Sequence, residues 1–238
     1  MGCGGVGSRL GGLAGSHGAR GCHLPGLTVR SLRRGGTARY NALHPGIQAH
    51  ENMGKEESTA RFEQIRRPAE DSELKALYDE ITAHGFGAEI PINWFTSQAI
   101  RPDILRATWN LVKGLMVEGE LPATIKQMVA MAISVQNDCR YCQVVHSGAL
   151  ESLGVPRNVI TQCVENVEAA QLPPAHRETL KFAVKAAKTS SSVTDEDFAV
   201  LRHHGLSDRE ILEVSMMAAF TNFINTWADL SGIALEED

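Results

Sequence analysis

Residues 121–150 read LPATIKQMVAMAISVQNDCRYCQVVHSGAL, and this stretch decides the fold class. Pro122 suits the first turn of a helix, where its missing N–H costs nothing and its fixed φ is already helical. Behind it, Ile125, Met128, Val129, Ala132 and Ile133 recur at helical spacing and give one apolar face. Asn137 and Asp138 interrupt that pattern and offer a cap. A second helix is predicted from about Cys139 through Val144, Val145 and Leu150 to Gly154, a good terminating residue.

The same punctuation repeats outward from this helix pair. Upstream, Pro102 opens a helix with Ile104, Leu105, Thr108, Leu111, Val112 and Leu115, and Asp71 or Ser72 caps one carrying Leu74, Leu77, Tyr78 and Ile81 before Gly85. Downstream, Pro156 restarts the chain into Val159, Ile160, Cys163 and Val164, and Pro173 and Pro174 begin a helix through Leu180, Phe182, Ala183 and Val184. Thr194 caps a helix with Phe198 and Leu201 that ends near Gly205. Ser207 and Glu210 then form a capping box ahead of a long apolar helix from Ile211 to about Leu230. No stretch alternates in the manner of a strand. The class is all-α.

Hydrophobic residues make up 43% of the 238 and aromatics only 5%, so the core is expected from Ala, Val, Ile, Leu and Met. The longest apolar run, Met128 to Val135, is broken by Ser134 and falls far below the roughly 18 residues a membrane span needs. Six of the 23 basic residues and none of the 28 acidic ones lie in residues 1–50, although the whole chain is formally -5. The remainder is therefore strongly acidic, which argues against nucleic acid as its partner.

Glycine recurs every few positions in residues 1–52 without apolar period, so this segment is expected to be disordered and residues 53–238 to form the helical domain. The segment reads first as a leader ahead of a true start at Met53, and second as an organelle transit peptide, its arginines fitting and its glycines weakening that idea. The body is otherwise expected in the cytoplasm. Cys3 and Cys22 lie in this tail and receive no role.

The chemistry concentrates in NDCRYCQVVH, residues 137–146. Cys139 and Cys142 are three apart, which places their Cβ atoms roughly 5–6 Å apart on one side of a helix. A disulfide wants about 3.5–4.5 Å, so a small deformation of the first turn closes the bond. His146 lies one turn beyond Cys142 on the same face, within reach of its proton. An ordinary thiol is only about 3% thiolate at pH 7; a helix start and a nearby imidazole favour the anion, and Arg140 adds to that field if it points inward. Zinc is the competing reading, with Cys139, Cys142 and His146 as three ligands. No second Cys/His pair closes such a site unless Cys163 folds onto it.

Residues 121–150 resemble the AhpD-like branch of the carboxymuconolactone decarboxylase superfamily, in particular its peroxidase-related proteins. The stretch HGLSDREILEVSMMAAFTNFINTWAD, residues 204–229, is similar to that group's last helices, and the likeness spans roughly residues 65 to 235. The resemblance implies an AhpD-like helical bundle, assembled as a trimer or hexamer, with no cofactor or metal. It implies that Cys142 attacks a hydroperoxide, that Cys139 resolves the resulting sulfenic acid, and that His146 relays the proton. The disulfide would then be reduced by a dithiol or lipoyl-type donor. The family's relay glutamate, twelve residues before the first cysteine, is here Gln127, which orients a partner but takes up no proton. Tyr141 likewise stands where AhpD itself has a histidine between the cysteines.

The function implied is a thiol peroxidase. Its rivals are a decarboxylase-like enzyme on the same scaffold, which needs no cysteine pair, and a non-catalytic redox sensor or interaction module. Trp94, Trp109 and Trp227 read as core or interface anchors, and Met128, Met131, Met216 and Met217 as core filling. Asn222 and Asn225 read as bonds across helices, His203 and His204 as a helix end, and Cys163 as a small buried residue.

Overall fold

In the computed structural model the described residues are 60–168 and 170–236. The 1–52 segment, with Cys3 and Cys22, and the candidate start Met53 lie outside them. Helix α1 spans Glu73–Ala83, with the Ser72 hydroxyl accepting from the Lys75 N–H at 3.1 Å. It buries Leu74, Leu77, Tyr78 and Ile81 as the spacing predicts, and Gly85 follows at φ +87°. A single turn, α2 (Asn93–Thr96), was not legible as a helix. Helix α3 (Pro102–Val112) starts on its proline and continues as a π-helical turn over Lys113–Val117.

The face of α3 differs from expectation. Leu105, Thr108, Trp109 and Val112 are buried, whereas Ile104 and Leu111 are exposed and Leu115 only half-buried. The large indole decides the rotation: Trp109 is 0% exposed, and its N–H donates to Glu80 on α1 at 2.9 Å. That Trp109 bond and the ion pair with Arg106 hold the Glu80 carboxyl down at about 2.

Helix α4 (Ala123–Gln136) is the axis of the fold. It packs against α5 (Arg140–Ser152), α6 (Arg157–Glu165), α7 (Pro174–Lys188) and α9 (Asp208–Ser231). A helix enclosed on several sides must be apolar nearly all round. That accounts for the run of small and branched residues from Met128 to Ile133, all buried. One charge lies among them. The Lys126 ammonium is 2.5 Å from Glu213 Oε1, with side chains 2% and 9% exposed, and it also donates to the Glu118 carbonyl. Glu213 Oε2 accepts the N–H groups of Glu120 and Leu121 at 2.7 and 3.1 Å. Gly119 sits there at φ +101°, and a Cβ on it would strike the Glu213 carboxylate.

Helix α8 (Asp195–His203) begins with a capping box between Thr194 and Asp197, and α9 with the one predicted between Ser207 and Glu210. Met128, Met131 and Met217 are core, but Met216 is 43% exposed. It falls on the outward face of α9 with Leu212, Phe223 and Leu230, four and seven residues apart. Among the described residues there is no strand, only an isolated bridge between Gly87 and Pro91, and no helix long and apolar enough to cross a membrane.

Candidate active site

The reversal from α4 to α5 is made by three residues. Asn137 caps α4, Asp138 takes a left-handed φ of 54°, and Cys139 is the N-cap of α5. Aspartate is among the few non-glycine residues that tolerate that conformation. The turn is pinned from both sides. The Cys139 N–H donates to the Ser134 carbonyl at 3.0 Å, and Asn137 Nδ2 donates to Asn222 and Asn225 of α9 at 2.8 Å each. Asn225 Nδ2 in turn reaches the Ser134 hydroxyl at 3.0 Å. The two asparagines therefore bond across helices, as expected.

This clasp places Cys139 at the helix entrance and Cys142 in its first turn, with the sulfurs 2.7 Å apart. A disulfide is about 2.05 Å long, so closing the bond needs well under an ångström of movement. Both thiols are almost wholly enclosed, at 0% and 1% exposure. Cys139 donates to the Cys142 sulfur. That hydrogen bond, together with burial, pushes the Cys139 thiol far up rather than down. The expected acidifying field thus fails for Cys139. Arg140 is exposed rather than turned inward.

His146 is buried, and its Nδ1 is 2.7 Å from Gln127 Oε1. A carbonyl oxygen only accepts, so Nδ1 carries the proton and Nε2 keeps its lone pair. Burial holds this imidazole down at about 4, so it is neutral at physiological pH. It supplies no cationic field to the sulfurs. What it offers instead is a fixed tautomer able to accept a proton at Nε2 and return it. Gln127 sets that tautomer, a role the sequence allowed.

Cys142 and His146 line one cavity with about 50 Å³ of free space, walled by Phe86, Ile92, Trp94, Phe95 and neighbouring apolar residues. That volume is a few times what one water needs. Trp94 is therefore more than a core anchor. Its backbone N–H donates to the Tyr141 hydroxyl at 3.1 Å, and Tyr141 donates to Glu236 Oε1 at 2.7 Å. The same oxygen accepts the Asn93 N–H at 2.8 Å. Burial keeps the Tyr141 hydroxyl protonated. Sequence reasoning missed Glu236, which lies beyond the last helix and carries no periodic signal.

Cys163 is buried away from this site, at a separate cavity of about 310 Å³ lined by Val164, Val184 and Lys188 among others. Among the described residues no three His, Cys, Asp or Glu side chains group closely enough to hold a metal ion.

The sequence pattern of the carboxymuconolactone decarboxylase family matches residues 102–185. No curated protein matches the chain by sequence. Among solved structures, an AhpD-core, peroxidase-related protein from Ralstonia eutropha is 31% identical, covering 72% of this chain and 92% of its own with a TM-score of 0.62. A peroxidase-related protein from Silicibacter sp. shares the fold at 24% identity, with 77% and 95% coverage and a TM-score of 0.69. So does a debrominase, Bmp8, solved with tribromopyrrole, at 20% identity, 74% and 94% coverage and a TM-score of 0.61. With its helices, its paired cysteines and these likenesses together, the chain belongs to the AhpD-like branch of the carboxymuconolactone decarboxylase superfamily.

Proposed function

We propose that this protein is a thiol peroxidase that reduces small, uncharged hydroperoxides. The observation that carries the reading is the meeting of two sulfurs at 2.7 Å with the neutral His146 imidazole, Cys142 and His146 facing one small apolar cavity. The Cys142 thiol passes its proton to His146 Nε2 and its sulfur attacks the outer peroxide oxygen. The O–O bond breaks, Cys142 becomes a sulfenic acid, and the alkoxide recovers the proton as alcohol. The Cys139 sulfur then displaces the hydroxyl, giving the disulfide and water. A dithiol of lipoyl type returns both thiols by exchange. A charged peroxide would forfeit its hydration in a cavity lined this way, which favours apolar substrates.

The test is stopped-flow mixing of the reduced protein with ethyl hydroperoxide, followed by mass spectrometry after one equivalent. The expected result is a Cys139–Cys142 disulfide formed faster than free cysteine oxidises. Oxidation at the rate of free cysteine would overturn the peroxidase reading and favour a redox sensor. The aromatic walls also suit a second reading, thiol-dependent removal of halogen from a small haloaromatic, with the dithiol supplying two electrons. Bromide release from tribromopyrrole with no acceleration by peroxide would favour it.

We further propose that copies of the chain assemble through the outward face of α9. Leu212 and Leu230 are 64% and 57% exposed there, with Met216 and Phe223 between them. Four large apolar side chains exposed along one helix suit a contact with another copy better than contact with water. Replacing Phe223 and Leu230 by Asp is expected to shift the sedimenting species to monomer. An unchanged sedimentation coefficient would exclude this face.

A further inference from the structure

The cavity beside Cys142 and His146 has two principal walls that lie far apart in sequence. One is the start of α5, which presents Tyr141, Cys142 and His146. The other is α2 with the residue before it, which presents Ile92, Trp94 and Phe95. What joins them belongs to neither. Helix α2 opens at Ile92 without a side-chain cap, so the N–H groups of Asn93 and Trp94 need acceptors from elsewhere. The Trp94 N–H donates to the Tyr141 hydroxyl at 3.1 Å, and the Asn93 N–H to Glu236 Oε1 at 2.8 Å. Tyr141 then donates to that same Oε1 at 2.7 Å. One carboxylate oxygen ties both walls together.

The segment after α9 is itself secured before it delivers this carboxylate. Ile233 is buried in the core, and the Ala234 carbonyl accepts from Asn93 Nδ2 at 3.1 Å. Asn93 Oδ1 accepts in turn from Arg66 at 2.7 Å. Asn93 and Tyr141 are both buried. Loss of the carboxylate leaves two enclosed donors without an acceptor, and water drawn in to satisfy them parts the walls.

We propose that Glu236 is a positioning residue that sets substrate size: it holds the α2 wall against the α5 wall and so keeps bulky hydroperoxides from Cys142. It acts through Tyr141 and Asn93 rather than on the substrate. The assignment rests on the peroxidase reading above and adds to it the class of peroxide admitted. With about 50 Å³ of free space between the walls, a small separation changes which molecules fit. Ethyl hydroperoxide suits that space, whereas the phenyl ring of cumene hydroperoxide does not.

The experiment uses the full chain, reduced, as wild type, Glu236→Ala and Glu236→Gln. Stopped-flow oxidation is measured with ethyl and with cumene hydroperoxide. In parallel, Cys142 is alkylated with iodoacetamide or N-phenylmaleimide and read by mass spectrometry. In Glu236→Ala the cumene-to-ethyl rate ratio is expected to rise about 10-fold, the lower end of what an apolar pocket discriminates, and the N-phenylmaleimide-to-iodoacetamide ratio to rise with it. Glu236→Gln should keep both ratios near wild type, because its amide oxygen accepts both bonds. An equal change with both peroxides in Glu236→Ala, which is all a merely structural role gives, would overturn the assignment. So would a Glu236→Gln ratio as high as that of Glu236→Ala. Wild-type oxidation no faster than free cysteine with either peroxide would overturn the peroxidase reading, and the alkylation ratio would then decide the role of Glu236 by itself.

Discussion

Cys142→Ser is expected to abolish peroxide turnover, and Cys139→Ser to permit one oxidation per chain and then stop. The asymmetry follows from the cavity. Cys142 lines it beside His146, whereas Cys139 stands behind Cys142 and does not. A serine hydroxyl in place of Cys142 is too weak a nucleophile at neutral pH, and the loss should be on the order of a thousand-fold or more. In Cys139→Ser the sulfenic acid has no thiol beside it and persists, detectable as one added oxygen by intact-mass measurement. Sustained cycling of Cys139→Ser with a dithiol donor would sink this division of roles.

The second large effect concerns stability. Lys126→Ala is expected to cost about 3–5 kcal/mol, because it strands the Glu213 carboxylate inside the protein. With side chains only 2% and 9% exposed, neither partner can turn to water. Lys126→Met with Glu213→Leu should cost less than either single change, since no unpaired charge remains buried. It should still cost something, because the N–H groups of Glu120 and Leu121 lose their acceptor. Urea unfolding of the three variants measures both statements. A single-variant loss below about 1 kcal/mol would mean that water reaches the pair.

The fold was legible because its punctuation is local. Pro102, Pro122 and Pro174, the Ser72 hydroxyl, and the box between Ser207 and Glu210 act within four residues of where they stand. The outward rotation of Ile104 and Leu111 was not legible, because a distant partner, Glu80, decides which side of α3 turns inward. The candidate site divides in the same way. Cys139, Cys142 and His146 share one helical stretch, so spacing alone brings them together, and Gln127 was placed by resemblance one helix away. Trp94 and Glu236 enter through tertiary contacts across 47 and 95 positions of chain, and no periodicity announces them. The state of the Cys139 thiol was misjudged for a related reason. Burial and a neighbouring sulfur outweigh the helix dipole at Cys139, and neither can be read from spacing.

The contact between Tyr141 and Glu236 also has a practical side. The aromatic ring standing between the two cysteines is anchored by a carboxylate that lies past the end of α9. A chain trimmed back to Ser231 for crystallisation would keep every helix and lose that anchor, so its kinetics would describe a different redox centre.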